Sequence, residues 1–159
     1  MAREFTEQGF LDYLASAPVR LEAQLKTAMK HEASHLQKEA REEVGHYQEA
    51  AGPFPAWSPL ADSTMDDRIR KGFTPDDPGL RTGAMRDSYK ASVEGNKIVL
   101  GSTSNAAQWF EEGTIKQPPR PVIGPAIFRN TETITRHLTE SISAAMAGHI
   151  TALESDVDD

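Results

Sequence analysis

The feature of this 159-residue sequence that most restricts its fold is a long apolar pattern between Val19 and Tyr47. Apolar residues recur there every three or four positions, which places them on one face of an α-helix. About 30 residues make a helix of roughly 45 Å, which commonly extends past its own core and packs on a second copy. The pattern therefore favours an oligomer. Its members are Leu21, Leu25, Ala28, Met29, Leu36, Ala40, Val44 and Tyr47.

Prolines and glycines mark the expected ends of this helix. Ser16 is placed to cap the helix and Pro18 to occupy its first turn, where a missing N–H does no harm. We therefore expect a separate short helix over residues 5–15. At the other end, Gly52-Pro53-Phe54-Pro55 cannot continue a helix, so the sequence predicts that the long helix ends there.

A β-hairpin is predicted over residues 89–100. Apolar and polar residues alternate on both sides of Gly95-Asn96, a two-residue turn. Pairing across this turn sets Val93 opposite Ile98 and Ala91 opposite Leu100 on one face. Because a lone hairpin is only marginally stable, we expect another strand to join it, either from residues 115–123 or from an adjacent subunit.

The remaining elements are helical, and together with the hairpin they predict an α+β fold. Short helices are expected over residues 60–71, 83–88 and 105–112, and a long helix begins near Pro125. The fold is then a small antiparallel sheet packed with a long N-terminal helix and a long C-terminal helix. We expect one domain over residues 1–159, made of N-terminal helices (1–52), a central part (57–130) and a C-terminal helix (125–154).

Composition excludes several classes of function. The chain has no cysteine, which excludes disulfides, thiolate catalysis and cysteine-rich zinc sites. No apolar run approaches the roughly 20 residues of a membrane helix, so we expect no membrane association. The formal net charge of -7 argues against tight nucleic-acid binding, which depends on lysine and arginine. An acidic channel would nevertheless let a DNA duplex slide through without sticking.

One pattern in the sequence is typical of catalysis. His31-Glu32-Ala33-Ser34-His35 matches the zinc-peptidase spacing, in which two imidazoles one helical turn apart bind a metal and a glutamate acts as general base. On the predicted helix, however, His31 lies about 140° and His35 about 100° from the centre of the apolar stripe. They therefore face outward, without a third ligand nearby. We take solvated helix residues as the better interpretation and keep a zinc metallopeptidase using His31, Glu32 and His35 as an alternative.

Four short motifs follow one another between residues 57 and 126. They are Trp57-Ser58-Pro59-Leu60, Leu80-Arg81-Thr82-Gly83, Phe110-Glu111-Glu112-Gly113-Thr114, and Pro118-Pro119-Arg120-Pro121 running on to Pro125-Ala126. In this order, with a hairpin between the second and third, the set resembles the neck or tail-completion proteins of long-tailed bacteriophages. Met85 stands where that family usually has leucine, and Val122 where an aromatic residue is common. The resemblance covers about residues 57–130.

The resemblance implies a structural virion protein and not an enzyme. Such head-tail connector proteins are made in the host cytoplasm, assemble as rings at the junction of head and tail, and carry no cofactor. Their partners are further copies of themselves and the neighbouring neck, head-closure and tail proteins. We expect a ring of six or twelve copies through which DNA passes without specific binding. A tail terminator or other minor tail protein, and a generic bacterial helical interaction module, stay open as alternatives.

Six residues in or next to the motifs are candidates for interfaces between subunits: Trp57, Leu60, Trp109, Phe110, Glu111 and Arg120. Tryptophans are most often core anchors and otherwise interface anchors. Arg120 lies between prolines on an extended segment, so we expect it to be exposed. Glu111 and Glu112 end a predicted helix, where the helix dipole disfavours acids. We therefore expect one of them to have a partner, with Arg120 of an adjacent subunit as the candidate.

Overall fold

A computed structural model describes residues 7–155 of the chain, and it confirms the α+β class. A two-stranded antiparallel sheet lies between a long N-terminal and a long C-terminal helix in the chain order. Among the described residues no helix is both long enough and apolar enough to cross a membrane. The elements are α1 (Glu7–Glu43), α2 (Asp62–Arg70), α3 (Ala84–Ser88), β1 (Tyr89–Glu94), β2 (Lys97–Ser102), α4 (Asn105–Glu112) and α5 (Ile123–Ser155).

The chain divides into two compact units. The first consists of residues 1–31 and 132–159, and its described part is helical throughout. Within it, Met29 is buried, and Ser141 of α5 lines a shallow groove together with residues 23–31 of α1. The second unit is residues 32–131 and contains the hairpin, the three short helices and all four motifs.

Helix α1 does not begin at Ser16, as the sequence predicted, but runs without a break from Glu7 through Pro18. The predicted short helix over residues 5–15 is therefore part of α1 from Glu7 onward, and Phe5 lies outside the described residues. A proline removes one main-chain hydrogen bond from a helix. The main-chain hydrogen bonds of the helix continue on both sides of Pro18, because the surrounding residues are mostly good helix formers.

The C-terminal end of α1 also differs from the prediction: the helix stops at Glu43, nine residues before Gly52. Gly45 follows with φ of +104°, a backbone conformation that residues other than glycine rarely adopt. Its main-chain N–H donates to the carbonyl of Pro78 at 2.8 Å. Gly52 instead lies in a tight turn between Ala51 and Phe54, which bond to each other through their main chains. Tyr47 therefore lies beyond the helix whose stripe it was expected to complete.

The hairpin has the register that the sequence predicted. Val93 pairs with Ile98, Ala91 with Leu100, and the strands turn at Gly95-Asn96. The shared face of the two strands is the buried one, since Leu100 is buried and Val93 and Ile98 are half-buried.

The predicted third strand from residues 115–123 does not join the sheet, which has two strands among the described residues. Thr114 and Gln117 instead bond to each other across a tight turn. On the other side, α1 covers the outer edge of β1: the side-chain oxygen of Gln37 accepts the N–H of Ala91 at 2.9 Å. The predicted alternative, a strand from an adjacent subunit, stays a prediction.

The core of the second unit joins its helices to the hairpin. Most of its side chains come from the last turns of α1, from β1 and β2, from α4 and from the start of α5. The buried apolar residues are Ala33, Leu36, Ala40, Val44, Ala51, Trp57, Tyr89, Leu100, Ala107, Phe110, Val122 and Ala126.

Candidate functional site

Three of the four motifs meet in one cluster, built around Trp57, Phe110 and Arg120. The rings of Trp57 and Phe110 pack edge to face, with their centroids 5.2 Å apart. The indole N–H of Trp57 donates to the carbonyl of Pro121 at 3.0 Å. The main-chain N–H of Arg120 donates to the carbonyl of Phe110 at 2.7 Å. We call these three residues and Pro121 the motif cluster.

Arg120 is buried, with 3% of its surface exposed, so the prediction that it is exposed is wrong. Its guanidinium donates to the carbonyl of Ser58 from Nε at 3.0 Å and from Nη2 at 2.9 Å, and Nη2 also donates to the carbonyl of Pro59 at 3.0 Å. It lies 6.0 Å from the centre of the Phe110 ring. Burial lowers the pKa of this guanidinium, which nevertheless stays charged at neutral pH. Arg120 therefore fastens the proline-rich segment to the Trp57 motif.

Glu111 has a partner, as expected, but that partner is not Arg120. Its carboxylate accepts the main-chain N–H groups of Val122 and Ile123, each at 3.0 Å, at the start of α5. Its Oε1 also accepts the hydroxyl of Tyr89 at 3.1 Å. A carboxylate that binds the first N–H groups of a helix is favoured by the helix dipole. Glu111 thus caps α5 from outside, although burial raises the pKa of its carboxyl.

A second buried acid, Glu43 at the end of α1, lies near this capping carboxylate. Its Oε1 accepts Nη1 of Arg129 at 2.7 Å, whereas Oε2 is buried and has no hydrogen-bond partner among the described residues. Burial raises the pKa of Glu43 to about 7, and the charges of Glu111 and Glu39 add to the rise while Arg129 opposes it. Sequence analysis did not single out Glu43, because a glutamate near the end of an exposed-looking helix is ordinary.

The second motif lies beside this cluster and is held by a buried arginine of α2. Arg68 donates from Nε to the carbonyl of Thr74 at 2.7 Å and from Nη2 to the carbonyl of Leu80. Gly79, directly before the motif, leaves no room for a side chain, since a Cβ there would lie 2.9 Å from the Phe110 ring. All four motifs are therefore parts of one packed region of the second unit.

The interface candidates differ widely in exposure. Trp57, Phe110 and Arg120 are buried within their own chain, and Leu60 is half-buried. Trp109 is 57% exposed.

Beyond α4, Ile115 is fully exposed at the tip of the Thr114–Gln117 turn. Sequence analysis did not single out Ile115, although an isoleucine between polar residues in a turn was a visible signal. We call Trp109 and Ile115 the apolar tip.

The histidine pattern of α1 shows no metal site among the described residues. His31 is exposed, and His35 lies 3.8 Å from Glu39, one helical turn further along. Glu32, the supposed general base, is 3% exposed. Among the side chains that the structure describes, no group of three or more metal-binding residues is close enough to hold one ion.

Comparisons with family models, with curated protein sequences and with solved structures give no match.

Proposed function

We propose that this chain is a ring-forming structural component of the neck of a tailed bacteriophage, a head-to-tail joining or tail-completion protein. The observation that carries the proposal is the convergence of the four motifs. Residues from three of them converge: Trp57 and Arg120 both contact Phe110, although Trp57 lies more than 50 positions away from Phe110 in the sequence. A chance match of short motifs does not require that the matched residues touch.

The contacts within the motif cluster also account for the residue types that carry the resemblance. The Trp57 motif supplies an indole donor and two carbonyls, and the planar fork of donors of Arg120 binds both carbonyls at once. Glu111 caps the final helix, and Gly113 allows the turn that follows α4. The motifs therefore describe one way of folding the chain, which supports membership of a group with a common fold.

The apolar tip supports assembly. Trp109 is 57% exposed and Ile115 fully exposed, and both flank the short segment that ends α4. Large apolar side chains that are exposed to water mark contact surfaces, and tryptophan is among the residues that contribute most to them. The neighbouring side chains Glu112 and Lys116 are exposed and of opposite charge, which suits the rim of a contact between copies.

The experiment measures the mass of the assembled particle by light scattering after gel filtration. We expect the wild-type chain to form closed rings and the double variant Trp109→Ser, Ile115→Asp to lose them, because a charge in an apolar contact is not compensated. The matched control is Ile69→Asp on α2, an isoleucine that is 59% exposed and lies outside the apolar tip.

Rings that persist in the double variant would contradict the role of the apolar tip. A wild-type chain that stays monomeric at every concentration would contradict the ring itself. Incorporation into tail tubes alone, without contact to head-side proteins, would favour the tail-terminator alternative.

A further inference from the structure

The outer edge of β2 carries main-chain groups that the hairpin itself does not use. Glu94 and Lys97 flank the two-residue turn and form a hydrogen-bonded pair, and such pairs alternate along an antiparallel ladder. Every second residue of β2 therefore turns its N–H and C=O away from β1. These outward residues are Ile98, Leu100 and Ser102.

The two edges of the hairpin are not equivalent. On β1, the outward N–H of Ala91 donates to Gln37 at 2.9 Å, and the outward carbonyl of Tyr89 accepts Nε of Arg41 at 3.0 Å, so α1 occupies that edge. On β2, no main-chain hydrogen bond reaches the outward groups from any part of residues 7–155. The hairpin thus has one occupied edge and one open edge.

The open edge lacks the features that prevent strand pairing. Proteins protect edge strands with prolines, bulges and several charged residues. β2 has a single charge, at Lys97, and contains no proline. The face of β2 that carries Val99 and Gly101 is accessible, since Val99 is 40% exposed and a Cβ on Gly101 would meet nothing within 4 Å.

We propose that β2 pairs antiparallel with β2 of a second copy, around a two-fold axis at Leu100, to give a four-stranded sheet. This register uses all the outward residues: Leu100 faces Leu100 of the partner subunit, and Ile98 faces Ser102 of the partner subunit. The main-chain groups left open by the hairpin are then satisfied between the two copies.

The sequence of β2 is complementary to itself in this register, which is why a second copy is the occupant. Lys97 faces Thr103 of the partner subunit, so no like charges meet. Val99 faces Gly101 of the partner subunit, where there is room for it. Because the other edge of each hairpin is occupied by α1, the pairing stops at two copies.

The test uses the absence of cysteine in the natural sequence. The variants Val99→Cys and Gly101→Cys are made separately, mixed and oxidised. In the proposed register, positions 99 and 101 of opposite chains form a non-hydrogen-bonded pair with Cα atoms about 4.5 Å apart, within disulfide range. Like positions are diagonal, about 7–8 Å apart, and too far to bond. Each variant alone is therefore the control.

We expect the mixture to give mainly a disulfide-linked heterodimer, while each variant alone stays mainly unlinked. An unlinked mixture, or equally rapid linking of Val99→Cys with itself, would overturn the proposal. A second variant, Ile98→Pro, removes one outward N–H from the edge, and we expect it to halve the mass of the wild-type dimer unit while circular dichroism stays unchanged. An unchanged mass would also overturn the pairing. The disulfide readout does not depend on ring formation, so the pairing and the proposed function can fail separately.

Discussion

Arg120 shows how one side chain can join distant parts of this fold. Its guanidinium binds two carbonyls of the Ser58-Pro59 segment while its main chain binds Phe110. Carbonyl groups in a segment that contains proline have few neighbouring N–H donors, because proline has none. A buried arginine supplies several donors in one plane and so replaces the missing main-chain partners.

Replacing this arginine is predicted to destabilise the second unit. Arg120→Ala leaves the carbonyls of Ser58 and Pro59 without their donors, which we expect to cost about 3 kcal/mol of unfolding free energy. Arg120→Lys is expected to recover only part of this loss, because one ammonium group cannot reproduce the fork of donors. Urea unfolding measures both values.

The control for this series is Arg70→Ala. The Arg70 side chain is 74% exposed and lies 3.8 Å from Asp67. Exposed ion pairs contribute little, so we expect a change within about 0.5 kcal/mol. Equal losses for the two arginines would show that the contacts of Arg120 do not matter to stability.

Glu43 is predicted to make stability depend on pH near neutrality. Its folded pKa of about 7 lies above the ordinary value of 4.5, so the folded protein binds this proton more tightly than the unfolded chain does. The resulting stabilisation is complete below about pH 4.5 and is lost as the pH rises through 7. The Glu43→Gln variant has no ionisable group at this position. The difference between its free energy of unfolding and that of the wild type should therefore increase from pH 5 to pH 8.

Urea unfolding at several pH values measures this difference. The control is Glu42→Gln, the adjacent acid, whose side chain is 61% exposed. We expect the Glu42 variant to follow the wild-type pH profile. Parallel profiles for wild type and Glu43→Gln would contradict the argument that burial governs this carboxyl.

At the scale of elements, the junction between α4 and the proline-rich segment depends on Gly113. This residue ends α4 with φ of +76° and ψ of 178°, a region open essentially to glycine alone. A Cβ there would also lie 2.7 Å from the main-chain nitrogen of Pro119. Backbone strain and steric conflict therefore act at the same position.

Gly72, which also has a positive φ but open surroundings, provides a comparison. Gly72→Ala places a side chain at φ of +75° after α2, where a Cβ meets nothing within 4 Å, and we expect a loss of about 1 kcal/mol. Gly113→Ala should cost clearly more, about 3 kcal/mol, since the Pro119 segment must also move. Thermal and urea unfolding measure the two losses of unfolding free energy. Similar losses at the two glycines would contradict the steric conflict with Pro119.

Elements whose causes are local in the sequence were predictable. The register of the hairpin follows from alternation and a two-residue turn, both visible between Tyr89 and Leu100. The end of α1 was not predictable, because Gly45 leaves the helix in order to bond Pro78, which lies 33 positions away. The helix start predicted from Pro18 was wrong, since a proline can lie inside a helix whose other main-chain hydrogen bonds are intact.

The same distinction applies to the candidate site. The sequence identified the four motifs and the need of Glu111 for a partner. It assigned the wrong partner, because the groups that Glu111 and Arg120 bind are main-chain N–H and C=O groups, which every residue carries. Such partners leave no signal in a sequence. Trp57 and Trp109 likewise look alike in sequence, although one is 5% and the other 57% exposed.

At the scale of the whole molecule, two different surfaces are available for contacts between copies. The apolar tip at Trp109 and Ile115 is the proposed ring contact, and the open edge of β2 is the proposed two-fold contact. A two-fold contact joins only two chains and cannot close a larger ring by itself. A particle that uses both contacts therefore contains an even number of chains, which we predict for the mass measured by native mass spectrometry. An odd number would exclude their joint use.

The central claim is that this chain is a structural building block of a ring, and electron microscopy of the purified wild-type protein tests it most directly. We predict closed rings of uniform size with a central opening wide enough for duplex DNA. Uniform monomers that bind one zinc ion per chain and cleave peptides, with both properties lost in His31→Ala, would contradict the claim and favour the metallopeptidase alternative.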